Sequence, residues 1–258
     1  EADRTYSNAM KPLNDLVESL NKRMQSGESQ ETLQKEYSEK APAIQKQATE
    51  AIVDFIAKHP DSEGAAAFIP MLGDLATMKK AAASLSEKVR NGRMHNYYQK
   101  AIDGIEAREK AEAEAGKKQA AGVVAPDFTL NDINGKPLSL ASFKGKYVLL
   151  DFWGTWCIWC VRGIPKMKEY YNKYKDKFEI LSIDCNESMD KWKAGVKKHE
   201  LPWLNVYQPS DGAVQTTQLY GIQGFPTKIL VGPDGKIVKT VVGEDPAFYT
   251  FLDETFGK

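Results

Sequence analysis

Cysteine is scarce in this chain, with three residues among 258. That is too few for a disulfide-stapled scaffold, so the fold must rest on packed apolar cores. Net charge is also absent: 35 Lys and Arg balance 35 Asp and Glu, and the balance holds in both halves. A nucleic-acid or anionic-membrane footprint is thereby excluded. No apolar stretch approaches the roughly 18 residues of a membrane-spanning helix. An initiator Met and a signal peptide are missing at Glu1, and no lipid-anchor cysteine lies near it. The start therefore reads as processed or truncated, with any targeting segment or membrane anchor upstream. What the chain does have is length for two ordinary domains and 42% hydrophobic residues to build their cores.

Residues 1–120 are Gly-poor and rich in Ala, Glu and Lys, with no convincing strand. Their periodicity predicts helices near 8–26, 29–58, 62–90 and 93–117. Asp61 or Ser62 is suited to cap the third helix. Pro42 is expected to kink or interrupt the second. The apolar stripe Ile52, Phe55, Ile56, Phe68, Ile69 and Leu72 fits a helical-bundle core better than a ligand site. The charged, Ala-rich run 106–118 reads as a solvated, semi-rigid spacer.

After Gly122 the texture changes. A short strand at 126–130, the turn signal Asn134-Gly135 and a return strand at 138–140 form a hairpin. Apolar strands follow at 147–153, 178–184, 203–207 and 228–231, separated by helical patterns at 158–176, 188–199 and 212–220. Asp234-Gly235 turns the chain into a strand at 237–242, and a helix at 246–256 closes the domain. Strands alternating with helices, then a hairpin and a helix, mean α/β architecture with a mixed sheet. The expected division is a helical domain with its linker over 1–120 and a mixed-sheet domain over 121–258.

The most informative segment is Asp151-Phe152-Trp153-Gly154-Thr155-Trp156-Cys157-Ile158-Trp159-Cys160. It sits where a buried strand hands over to a helix. Spacing of i, i+3 on a first helical turn brings Cys157 and Cys160 within bonding reach. Cys157 is nearer the helix start, where unpaired N–H groups favour its thiolate, and is assigned as the nucleophile. Cys160 is expected to be more buried and to act as the resolving thiol, releasing a mixed disulfide. Asp151 precedes the motif on the strand; a carboxylate pointing into the core there has a raised pKa and can take the proton of Cys160. The alternative for Asp151 is a partly wet acid at a strand end. A zinc site would need two more ligands from Cys185, His59, His95 and His199, none of which forms a second close pair. Val161 after Cys160 excludes c-type haem attachment. Cys185, at the end of a predicted strand, reads as a small, buried, inert hydrophobe.

Asp151-Phe152-Trp153 with Trp156-Cys157 and Cys160 resembles the active-site strand and motif of thioredoxin, and Phe225-Pro226-Thr227 resembles the loop that faces that dithiol. The lead-in Ala125-Pro126-Asp127-Phe128-Thr129-Leu130, with Asn134-Gly135-Lys136 and Phe143-Lys144-Gly145-Lys146, is similar to TlpA/ResA-like extracytoplasmic thiol–disulfide oxidoreductases. The resemblance covers about 122–258. It implies a C-terminal thioredoxin fold, here preceded by an all-α domain, and disulfide reductase activity without a cofactor. Pro226 would be cis, leaving the backbone of Phe225 open to a substrate strand. Trp156, Ile158, Trp159, Phe225 and Pro226 would form the substrate surface. Partners would be disulfide-containing proteins and an electron donor, in the periplasm or another extracytoplasmic compartment, with no nucleic acid.

Three departures from the resemblance bear on mechanism. Many relatives carry an acid three positions after the second cysteine, where this chain has Gly163. Ile158-Trp159 stands between the cysteines in place of thioredoxin's Gly-Pro, and the bulky Trp should shield the disulfide. A lysine partner for the buried Asp is not evident within 178–184. Two other readings remain. A peroxiredoxin-like peroxidase shares Pro126-Asp127-Phe128, but its Pro-x-x-x-Thr-x-x-Cys pattern is absent: the nearest Thr is at 155 and no Pro stands at the right distance. A non-catalytic binding module would use the Trp and Tyr residues as an interface.

Overall fold

The computed structural model describes residues 2–257. It separates into two compact units, one ending at Glu109 and the other beginning at Lys110. The boundary expected at 120/121 lies further along the chain.

The first unit opens with α1 (Ala2–Gln25) and α2 (Gln30–Lys58), which pack on each other. Gly27, at φ +91°, makes the left-handed turn between them, and Ser29 caps α2 by accepting the Thr32 N–H. Arg23 clamps the turn with hydrogen bonds to Glu28 at 2.6 and 2.8 Å and to Glu36 at 2.6 Å. The second helix is not interrupted at Pro42; it runs through to Lys58. The single helix expected over 62–90 is instead broken into α3 (Glu63–Ala66), a 3-10 turn at Ile69–Met71, α4 (Leu75–Ser84) and α5 (Glu87–Arg90). Local chemistry explains the breaks. Pro70 removes a backbone donor, Gly73 turns at φ +83°, and Asp74 starts α4 by accepting the Thr77 N–H at 2.8 Å. Ser62 rather than Asp61 caps α3. Helix α6 spans His95–Lys118. The buried side chains of Ile52, Ile56, Ile69, Met78, Tyr98 and Ile102 close the core.

In the second unit the end of α6 is not a free spacer. Ala115 is buried, Lys118 donates to the carbonyl of Gln218 at 2.8 Å, and Gln119 donates to that of Tyr220 at 2.9 Å. Strands β1 (Thr129–Asp132) and β2 (Pro137–Ser139) form the hairpin, each shifted slightly from its expected range. Then come β3 (Tyr147–Trp153), α7 (Ile158–Tyr174), β4 (Phe178–Asp184), α8 (Met189–Lys198), β5 (Leu204–Tyr207), the single-turn α9 (Thr216–Leu219), β6 (Thr227–Val231), β7 (Ile237–Val242) and α10 (Pro246–Phe256). The sheet order is β2-β1-β5-β4-β3-β6-β7. Strands β3, β4 and β5 run parallel and the remaining pairs are antiparallel.

Strand β3 is central and covered on both faces, which is why it reads as a continuous apolar run. Leu149 and Trp153 face the layer of α7 and α10, whereas Leu150 and Phe152 face the opposite layer with Ile183, Tyr220 and Ile229. This period-2 alternation makes Asp151, between Leu149 and Trp153, point toward α7. Ile229, at the centre of β6 between β3 and the edge strand β7, is fully buried. Ile229→Ala is expected to lower the unfolding free energy by about 2–5 kcal/mol in urea titrations. A loss too small to measure would mean that the central strands do not form the core.

Candidate active site

Two backbone events build the site: β3 ends at Trp153, and α7 begins at Ile158 with Cys157 as its N-cap. Cys157 has extended backbone (φ −88°, ψ 100°), and its sulfur accepts the N–H of Cys160 at 3.1 Å. A sulfur in this position takes up one of the unpaired donors of the first turn. Cys157 and Cys160 are joined as a disulfide, with sulfurs 2.08 Å and Cα atoms 5.3 Å apart. Both cysteines are buried, Cys160 slightly more than Cys157.

Apolar side chains flank the disulfide and remain in solvent. Trp156, Ile158 and Trp159 are 50%, 57% and 57% exposed. The Arg162 guanidinium lies 5.0 Å over the Trp159 ring. The Trp156 ring folds back over Gly154, where a Cβ would lie 2.9 Å from ring carbons. It donates through Nε1 to the Cys185 carbonyl at 2.8 Å and meets Phe225 edge-on at 5.1 Å. The Phe225–Pro226 peptide is cis, and Pro226 is buried. Among the described residues the backbone of Phe225 has no hydrogen-bond partner. Trp156, the disulfide and Phe225-Pro226 are thus drawn together, while Ile158 and Trp159 stand on the first turn of α7.

Beneath the dithiol a polar row crosses the sheet. Ser182 on β4, Asp151 on β3 and Lys228 on β6 are register partners, so their side chains share the α7 face. All three are buried. The Ser182 hydroxyl donates to Asp151 Oδ2 at 2.8 Å and accepts from Trp203 Nε1 at 2.8 Å. Burial raises the Asp151 pKa, and the Glu244 charge adds to this; the Lys228 charge and the Ser182 hydrogen bond oppose it without cancelling it. Asp151 is therefore a core carboxyl and not a partly wet strand-end acid. The lysine missing from 178–184 lies on β6 as Lys228. It pairs with Glu244, from the loop after β7, and Tyr249 Oη donates to the other Glu244 oxygen at 3.2 Å. The Glu244 carboxylate fills the space that a Cβ at Gly163 would occupy. One sequence signal pointed to Lys228: a lysine inside the apolar strand Thr227-Lys228-Ile229-Leu230-Val231. Glu244 carried none, because its partner is distant in sequence.

A second acidic pair holds the motif loop. Glu187 accepts the Thr155 N–H at 2.9 Å and the Thr155 hydroxyl. Neither oxygen of the buried Asp184 has a donor. Burial first, and then Glu187 beside it, pushes Asp184 up to about 9. A protonated Asp184 supplies the missing donor and hands it to Glu187. Burial would raise Glu187, but its bonds from Asp184 and Thr155 prevail and its pKa falls. Cys185 is a free, fully buried thiol, and burial pushes its pKa upward. Among the described residues no group of three or more His, Cys, Asp or Glu is arranged to hold a metal ion.

Comparison with known proteins agrees with this geometry. The AhpC/TSA family model matches residues 121–240. The chain is 38% identical over 129 residues to the thiol-disulfide oxidoreductase ResA of Bacillus thuringiensis subsp. konkukian, covering 50% of this chain and 73% of the relative. It is 37% identical over 131 residues to ResA of Bacillus subtilis, covering 50% and 72%. Among solved structures, the thioredoxin domain of a thiol-disulfide oxidoreductase from Bacteroides vulgatus superposes with a TM-score of 0.50 and 36% identity, over 53% of this chain and 98% of that one. A thiol:disulfide interchange protein from Bacteroides sp. gives 0.50 and 34%, over 55% and 93%.

Between pH 5 and 8 the folded state holds a proton on Asp184 that the unfolded state has lost, so stability falls as pH rises. Asp184→Asn keeps a donor for Glu187 and removes this titration. Denaturation midpoints of the parent should drop relative to the variant from pH 5 to pH 8; parallel profiles would refute the assignment. In the reduced native protein, iodoacetamide at pH 8 should modify the dithiol and spare Cys185, as read by peptide mass spectrometry. Comparable labelling of Cys185 would contradict its burial.

Proposed function

Since this chain belongs to the ResA family of thiol–disulfide oxidoreductases, we propose that its Cys157–Cys160 dithiol reduces disulfides of proteins outside the cytoplasm. The observation that carries this reading is the sulfur of Cys157 at the N-cap of α7, bonded to Cys160 and accepting its N–H. In the reduced protein that N–H and the positive helix end favour a Cys157 thiolate.

The thiolate of Cys157 attacks one sulfur of a target disulfide, forming a mixed disulfide and releasing the first target thiolate. Cys160 gives its proton to Asp151 and attacks Cys157 Sγ. The Cys157–Cys160 bond forms, the mixed disulfide breaks and the second target thiolate leaves. Two electrons pass from the dithiol to the target, so a separate dithiol donor must reduce the pair for another cycle. Its raised pKa makes the Asp151 carboxylate a stronger base toward the Cys160 thiol than an ordinary carboxylate. Trp156, Ile158 and Trp159 supply an apolar docking surface, and the unpaired backbone of Phe225 can add a target strand to it. The compartment follows from the resemblance of the 125–146 lead-in to extracytoplasmic relatives. Among the described residues no helix is long and apolar enough to cross a membrane. Any attachment would therefore need an anchor outside these residues. The peroxidase reading lacks a comparable site, because the Thr155 hydroxyl is bound to Glu187.

Cys157→Ser should abolish dithiothreitol-driven insulin reduction, and Cys160→Ser should accumulate a mixed disulfide with the target. Retained turnover in Cys157→Ser would end the proposal. The direction of electron flow is read from the equilibrium potential against glutathione. A reductant should lie near thioredoxin, at about −270 mV, and a value near about −120 mV would make the protein an oxidant.

A further inference from the structure

The Lys228–Glu244 pair lies beneath the dithiol and has no role in the exchange steps above. Lys228 is anchored on β6 directly opposite Asp151 on β3, yet its ammonium pairs with Glu244 and makes no ion pair with Asp151 among the described residues. Glu244 comes from the loop between β7 and α10. Its carboxylate is pressed against the backbone of α7 at Gly163, one helical turn beyond Cys160 and on the same side of the helix. A side chain at position 163 would displace it. Tyr249 holds the second carboxylate oxygen. The Lys228 side chain is 2% exposed and that of Glu244 is 21% exposed, so the buried row reaches water only at Glu244. A buried charge pair of this kind contributes little net stability compared with apolar packing, so stability alone does not account for its place here.

We propose that Glu244 is a positioning residue for thiol–disulfide exchange: it holds the Lys228 ammonium away from Asp151 and thereby controls how tightly Asp151 keeps a proton. This rests on the reading that Asp151 receives the proton of Cys160. Without Glu244, the nearest anion to Lys228 is its register partner Asp151. The ammonium would turn to it, favour its ionised form and make it a weaker base toward Cys160. Without Lys228, Asp151 would lose its attracting charge and keep the repulsion of Glu244. The titratable groups around Asp151 are Lys228 on β6, Glu244, Tyr249 on α10, Cys185 after β4, and the dithiol on α7. Only Lys228 and Glu244 oppose each other in sign.

The test is the titration of the Asp151 carboxyl carbon by NMR in the oxidised full-length chain, where Cys157 and Cys160 do not titrate. The signal is assigned with Asp151→Asn. Glu244→Gln should lower the midpoint by about one pH unit or more, and Lys228→Met should raise it. The double variant should fall between the parent and Lys228→Met, because the nearer positive charge outweighs the farther negative one. An unmoved or raised midpoint in Glu244→Gln would overturn the proposal. If Glu244→Gln fails to fold, Glu244→Asp, whose shorter side chain draws the carboxylate back from Lys228 while Lys228 stays in place, carries the test, and an unmoved or raised midpoint there would overturn the proposal. The pH profile of insulin reduction is measured on the same variants. A moved Asp151 midpoint with an unmoved rate profile would support the control of the Asp151 proton by Glu244 but overturn its part in the exchange, rejecting Asp151 as the proton acceptor.

Discussion

The N–H of Cys160 points at the sulfur of Cys157, and the arrangement of the site depends on that contact. A helix must begin somewhere, and its first donors need partners. Here one partner is a sulfur that also bonds covalently to the residue providing the donor. The same geometry that caps α7 in the oxidised state is available to hold a thiolate in the reduced state. The loop 154–156 can deliver Cys157 to this position only because it is tied from behind. Glu187 holds Thr155, and the Cys185 carbonyl holds the Trp156 indole. Gly154 lets that ring fold back over the chain.

Under the helix the sheet carries charge where an ordinary sheet would carry apolar side chains. Ser182, Asp151 and Lys228 form one row across three strands, and Glu244 ends it at the protein surface. Removing such groups from water is expensive unless they satisfy each other. Each member has a partner: Ser182 for Asp151, Trp203 for Ser182, and Glu244 for Lys228. The row therefore places a core carboxyl of raised pKa on the sheet face that packs against the dithiol helix.

The elements that could be read from sequence are those set by local pattern. The buried strands 147–153 and 178–184 and the helix after Cys157 announce themselves by apolar runs and period. The dithiol was legible because both partners lie on one helical turn. The apolar residues of 62–90 keep helical spacing across Pro70 and Gly73, where the backbone breaks, so the pattern alone reads as one helix. The run 106–118 looked solvated because its composition is charged, yet Ala115 is buried and Lys118 and Gln119 bond to the segment around Tyr220. Composition describes a helix's own surface and does not reveal which neighbour will cover it.

The sequence by itself determined the sulfur chemistry and the strand-to-helix handover that presents it, because each follows from spacing within about ten residues; whether Asp151 is a core carboxyl or a partly wet strand-end acid it left open, and the sheet packing decided for the core. Only the tertiary structure decided the electrostatics around that carboxylate. Lys228 meets Asp151 through antiparallel pairing of β3 with β6, and Glu244 reaches α7 through the turn after β7. Charges that act across such contacts depend on distance in space, and strand order sets that distance. Gly163 leaves an acid out of α7, and the fold returns one to the same place from 81 residues further along the chain, the difference between positions 244 and 163.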